Sequence, residues 1–154
     1  MTTKITADNV DTLALGVVNG VVQTTLSAAL EKVTISATAA TGTINYDLST
    51  QSVLYYTSNA SGNWTLNVRG NSSTTLNSLM ATGQSITFTF LVTQGATAYY
   101  NSAVTIDGSS VTPEWLGGSA PSAGNASSVD VYSYTVIKTG SAAFTVFASQ
   151  SRYA

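Results

Sequence analysis

The stretch Ser85-Ile-Thr-Phe-Thr-Phe-Leu-Val-Thr93 decides the fold class. In an extended chain Ile86, Phe88, Phe90 and Val92 fall on one face, and Thr87, Thr89 and Leu91 on the other. A two-residue period with four large apolar side chains on one side is the signature of a strand pressed into a core. The rest of the chain supplies partners. Trp64, Leu66 and Val68 alternate with Thr65, Asn67 and Arg69 in Gly62–Arg69. Val129–Thr139 and Ala142–Ser149, around Thr139-Gly140-Ser141, read as the best-defined hairpin.

Upstream, Val33–Ala37, Thr43–Leu48 and Gln51–Thr57 read as strands, with Ser49-Thr50 as a hairpin turn or a tight corner. Thr74–Met80 reads as one or two helical turns that bring Leu76, Leu79 and Met80 to one side. Gln94–Thr97 is a turn, Ala98–Ile106 a strand, and Asp107-Gly108 a strong turn pair. Thr112–Trp115 is expected to be extended, because the residue before a proline avoids helix. A Gly/Ser/Ala loop follows from Leu116 to Ser128. About eight strands at this spacing predict an all-β fold, an antiparallel β-sandwich of jelly-roll type. The domain is expected over 33–154, after an N-terminal arm and connector over 1–32.

Met1–Thr12 has no core-building pattern and reads as an exposed arm ordered by a neighbouring subunit. Leu13–Gln23 is apolar but broken by glycines, either a short strand or a buried connector. Thr24–Lys32 is the best candidate for a second short helix, with a strand over Val21–Ser36 as its rival.

Composition narrows function. The chain has 154 residues with no Cys and no His, which excludes disulfides, Cys/His zinc sites and His-based nucleophilic triads. A domain of this size can bury most of its unfolded surface without such staples. Charged residues are 8% of the chain, against about 25% in ordinary soluble proteins, and Ser, Thr, Asn, Gln and Gly take their place. Five scattered basic residues and a net charge of −2 make no phosphate-tracking patch, so no nucleic-acid partner is expected. The apolar run Leu13–Val22 follows Asp8 and Asp11 instead of a basic segment and is too short to span a bilayer. No membrane insertion is expected, and synthesis in a cytoplasm without export by the usual route is.

No catalytic, metal or cofactor site is expected. The nearest carboxylate pairs, Asp8 with Asp11 and Asp107 with Glu114, read more plainly as an arm and a turn than as a hydrolase pair. Lys138, beside a hairpin turn, reads as a surface charge. No Asp-rich loop offers converging oxygens for calcium or magnesium. The Asn-X-Ser/Thr triplets at Asn59, Asn63, Asn71 and Asn125 carry little meaning in so Ser/Thr-rich a chain. Aromatics are more informative. Tyr55-Tyr56 and Tyr99-Tyr100 place one ring on each face of their strands, while Tyr132 and Tyr134 share a face. Trp64 is expected in the core and Trp115 partly exposed beside the loop. Tyrosines at a core edge with wet hydroxyls are the plainer reading, and an interface the sharper one. The candidate interface set is Ile5, Val10, Leu13, Leu15, Tyr99, Tyr100, Trp115, Tyr132, Tyr134, Arg152 and Tyr153.

Four segments carry a family resemblance. They are Phe88-Thr-Phe-Leu-Val-Thr-Gln-Gly-Ala-Thr-Ala-Tyr-Tyr100, Ile106-Asp-Gly-Ser-Ser-Val-Thr-Pro-Glu-Trp115, Gly117-Gly-Ser-Ala-Pro-Ser-Ala-Gly-Asn125 and the hairpin Asp130–Phe147. Through them the chain from about Thr43 to Ala154 resembles a domain of virion structural proteins from tailed phages of marine cyanobacteria. Lys4-Ile-Thr-Ala-Asp-Asn9 is also similar to arms that precede fibre-like phage domains. The resemblance implies a non-enzymatic role in a virion. Because the domain makes up most of a short chain, it implies a capsid decoration protein, associated with itself as a homotrimer and with the major capsid protein or another virion protein. The alternative it implies is a short tail, neck or head fibre that binds a host surface glycan.

Overall fold

Residues 30–154 are described by the computed structural model, and Glu31–Ala154 forms one unit. Its elements are β1 (Val33–Ala39), β2 (Gly42–Asp47), β3 (Val53–Ser58), β4 (Trp64–Arg69), the helical turn α1 (Leu76–Leu79), β5 (Ser85–Thr93), β6 (Asn101–Ile106), β7 (Ser109–Val111), β8 (Glu114–Trp115), β9 (Val129–Gly140) and β10 (Ala143–Tyr153). They build a six-stranded sheet, β1-β3-β5-β9-β10-β8, and a four-stranded sheet, β2-β4-β6-β7. The two pack face to face, so the all-β sandwich stands.

The pairing is mixed. From β1 to β6 the chain changes sheet at every step, so β1, β3 and β5 stack in parallel in one sheet, and β2, β4 and β6 in the other. β8 also runs parallel to β10. The antiparallel expectation holds for β5–β9–β10 and for β6–β7. A jelly roll is made of antiparallel Greek keys, and the parallel neighbours depart from that pattern. Ser49-Thr50, expected as a hairpin turn or a tight corner, lies in a corner over Leu48–Ser52 that passes between the sheets. From β1 to β6, consecutive strands therefore meet through their side chains across the core, while backbone pairing joins strands two apart in sequence.

The core sits where inward positions of the two sheets interdigitate. Phe88 and Phe90 of β5 meet Tyr46 of β2 and Trp64 of β4 with ring centroids 4.5 and 6.0 Å apart. Trp64 also meets Tyr132 edge-on at 5.5 Å. Leu66, Val68, Val92 and Val136 are fully buried around these rings. Truncating a buried phenylalanine at such a junction costs roughly 3–5 kcal/mol. Tyr46 keeps its hydroxyl satisfied by donating to the Thr89 carbonyl across the sandwich at 3.1 Å.

Several local expectations change. Ala98–Tyr100 is not strand; β6 begins at Asn101. β10 runs on to Tyr153, beyond Ser149. In α1 Leu76 and Met80 are buried but Leu79 is exposed, because a helix this short can aim only part of its circumference at the sheet. Of the helix expected over Thr24–Lys32, Leu30–Lys32 are described and are not helical; the remainder lies outside the described residues. The Asp107-Gly108 turn stands, with φ of 52° and 82° as a two-residue type I′ hairpin requires. The Asp107 side chain also anchors α1. Its carboxylate accepts from the backbone N–H groups of Leu76 (2.7 Å) and Asn77 (2.9 Å) at the start of that turn. Lys138, expected at the surface, is 7% exposed. Its Nζ donates to the Asn77 and Met80 carbonyls at the end of the same turn, because even-numbered residues of β9 point inward.

Candidate functional site

The inward face of β9 carries Asp130, Tyr132, Tyr134, Val136 and Lys138 in succession. Tyr132 and Tyr134, expected as interface residues, are 0% and 1% exposed and belong to the core. Tyr134 stacks on Phe88 at 5.2 Å, and the Tyr132 hydroxyl accepts from the Asn101 backbone N–H at 3.4 Å. Burial pushes the phenols of Tyr132 and Tyr134 well above their ordinary range, so both stay neutral hydroxyls.

Asp130 is fully buried at the start of this row. Its carboxylate accepts from Gln94 Nε2 (2.9 Å), the Asn125 backbone N–H (3.0 Å) and Asn125 Nδ2 (2.6 Å). Gln94 in turn clasps Tyr99, donating to its carbonyl at 2.6 Å and accepting from its N–H at 3.0 Å. Amide donors thus stabilise a carboxylate taken out of water, as such a group requires. The network fastens the Asn125 end of the long loop to the turn that holds Tyr99. Tyr99 and Tyr100 lie on that turn, half-buried, and not on two faces of a strand. Its chemistry is structural.

Two surfaces remain. The first is the outer face of the six-stranded sheet. Val53, Tyr55, Leu91, Val129, Val131 and Tyr153 line an open, apolar depression of about 490 Å³. Register carries the patch outward, since Ile35 pairs with Tyr55 and Val33 with Val53, and Ile35 is 70% exposed. Tyr153, a predicted interface residue, is 63% exposed beside it. Arg152, also predicted, is exposed but alternates to the opposite side of β10. Val53, Tyr55, Leu91, Val129 and Val131 were missed as site residues. Their signal was in the sequence: β3 (Val53, Tyr55) and β9 (Val129, Val131, Ile137) carry apolar residues on both faces, and β5 adds Leu91 among its outward threonines, more than a one-sided core needs.

The second surface surrounds Trp115. β8 lies parallel to the middle of β10, with Trp115 opposite Ala148, and the Leu116 N–H donates to the Ala148 carbonyl at 2.8 Å. Trp115 meets Tyr134 edge-on at 6.2 Å. As expected, it is partly exposed, and it borders two depressions. One, of about 490 Å³, is bounded by Asn101, Ser110, Thr112 and Pro121; the other, of about 520 Å³, by Leu116, Thr135 and Phe147. Ile5, Val10, Leu13 and Leu15 lie outside the described residues. Among the described residues no three of His, Cys, Asp and Glu gather in a way that could hold a metal ion.

No family model matches the chain, no curated protein matches it, and no solved structure does.

Proposed function

We propose that the protein is a non-enzymatic structural component of a phage virion, a decoration protein fastened to the capsid surface and associated with copies of itself as a trimer. The observation that carries this reading is the apolar outer face of the larger sheet, from Ile35 through Tyr55, Leu91 and Val131 to Tyr153. A contiguous apolar face without a charged residue in its lining is matched by an equally apolar protein surface, and such patches mark protein–protein contact. The low charge of the chain and its likeness to cyanophage virion domains support the same role. The decisive measurement is the copy number per purified virion, by quantitative mass spectrometry against the major capsid protein. The proposal expects on the order of hundreds of copies in fixed ratio to the shell, as a symmetric lattice demands. A few copies to a few tens would move the protein to tail, neck or fibres, and none would refute a virion role. Deleting residues 1–12, the predicted arm, should abolish attachment while the sandwich still folds.

A further inference from the structure

The last strand of a sheet leaves one row of backbone N–H and C=O groups without a neighbour, and folded proteins protect such edges with short strands, prolines or charges. Three of the four sheet edges carry such protection. β8 has two residues, one of them Glu114, and follows Pro113. β7 has three and ends just before Thr112-Pro113. β2 ends at Asp47, which is paired with Arg69. The fourth edge, β1, is different. It has seven residues, Val33-Thr-Ile-Ser-Ala-Thr-Ala39, with no charge and no proline. Among the described residues no strand pairs with its outer side. Its one irregularity, a register shift between Ser36 and Ala39, leaves Val33–Ser36 in regular pairing with β3.

The direction of the backbone groups follows from their partners. The Lys32 carbonyl accepts from the Ser52 and Val53 N–H groups, and the Ser36 carbonyl accepts from the Thr57 hydroxyl. Even-numbered residues therefore address β3, and the N–H and C=O groups of Val33 and Ile35 point off the sheet. The side chains of Val33 and Ile35 lie on the outer face, 47% and 70% exposed, where Ile35 begins the row that continues through Tyr55, Leu91 and Val131.

We propose that β1 pairs antiparallel with β1 of a second copy, about a twofold axis at Thr34, and joins the two larger sheets into one. Val33 of each copy then faces Ile35 of the other, and each such pair exchanges both of its backbone hydrogen bonds. The occupant is a second copy because the edge complements itself. Apolar side chains meet apolar ones on the outer face, Thr34 meets Thr34 on the other, and no charge is brought up against the joint. The apolar row also continues from one copy into the next. An axis at Ile35 fits less well, since the Ala37 carbonyl that it would use already accepts from the Ser58 hydroxyl. A contact of this kind closes on two copies, so it goes beyond the trimer proposed above: it links trimers or stands without them.

The test exploits a chain without cysteine. Facing residues of a non-hydrogen-bonded pair have Cα atoms about 4.5 Å apart, within the span of a disulfide. Under mild oxidation full-length Thr34→Cys should therefore form a disulfide dimer about tenfold faster or more than Thr43→Cys, an exposed position on β2. Ile35→Lys sets an ammonium group beside the joint, as natural edges do, and should weaken the contact about tenfold or more in sedimentation equilibrium, with an unchanged circular dichroism spectrum. Equal cross-linking of the two cysteine variants would overturn the proposal, as would an assembly, or a lone chain, that Ile35→Lys leaves unchanged. Slow hydrogen exchange at the Ile35 amide in a monomeric sample would also overturn it, by showing that the edge is covered without a second copy. Each of these failures leaves the decoration reading to its own copy-number measurement.

Discussion

Gly124 lies in the Leu116–Ser128 loop, where nothing in the sequence marks it as different from Gly117 or Gly118. Its φ lies outside the left-handed region, so its backbone would accept an alanine. Space would not. A Cβ there would stand 2.1 Å from the Tyr99 carbonyl oxygen, 2.9 Å from Gln94 Nε2 and 3.0 Å from the Tyr99 carbonyl carbon. Two of those three atoms are backbone, and Gln94 is held by Tyr99 and Asp130 together. Gly124→Ala therefore has to push the loop outward by well over an ångström or break the clasp. Overpacking of this kind costs roughly 1–3 kcal/mol. Withdrawing one donor from the buried Asp130 carboxylate adds roughly 1.5–3 kcal/mol. The expected loss is about 2.5–6 kcal/mol, which lowers the melting temperature of a chain this size by roughly 5–25 °C. The assay is urea unfolding with circular dichroism, with Gly118→Ala as comparison. Gly118 has a φ of +80° and nothing within 4 Å of a new Cβ, so that variant should lose only about 1–2 kcal/mol through backbone strain. A Gly124→Ala variant losing no more than Gly118→Ala would refute the reasoning, because the loop would then yield without disturbing the network.

Further predictions concern the buried polar groups. Asp130→Asn puts an amide where three N–H donors converge and should cost about 2–4 kcal/mol, read from the same unfolding curves. Lys138→Met removes the donor to the Asn77 and Met80 carbonyls and should cost about 1–3 kcal/mol. Hydrogen exchange in that variant should quicken first at Leu79 and Met80. Alkali should unfold the protein steeply. Burial raises the phenols of Tyr46, Tyr132 and Tyr134 above an unfolded value of about 10, so their stabilising effect is complete below that pH. It is lost as pH climbs toward the folded values, by about 1.4 kcal/mol per pH unit for each phenol that ionises only on unfolding. Urea midpoints measured across the alkaline range should fall along that slope, and phenolate absorbance of these residues should appear together with unfolding.

How much of the candidate site was legible differs by residue. Trp115 was legible as partly exposed, because the Gly/Ser loop that follows it offers little to cover it, but its packing against the core at Tyr134 was not. Tyr153 was legible as a candidate but not as part of a face, since its neighbours there come from β3, β5 and β9. Tyr132 and Tyr134 were placed on one side of β9 correctly. Yet the opposite side, with Val129, Val131 and Ile137, is as apolar, and the sequence offered no reason to choose between them. Packing against Phe88 and Trp64 made the choice and carried Asp130 and Lys138 inside with the tyrosines.

The sequence by itself determined that this is an all-β chain with neither Cys nor His. It located β4, β5, the Asp107-Gly108 turn and the β9–β10 hairpin, because side-chain alternation and turn chemistry are local properties of a few residues. Only the tertiary structure decided that β1, β3 and β5 pair in parallel with one another and β2, β4 and β6 likewise. A two-residue period says which side chains share a face. It is silent on which strand lies alongside and in which direction, and a short connector after a strand serves a hairpin or a sheet-to-sheet corner equally well. Pairing direction, the Asp130 clasp, the role of Lys138 and the groove at Trp115 all arise from contacts between residues far apart in the chain, where packing and buried hydrogen bonds decide.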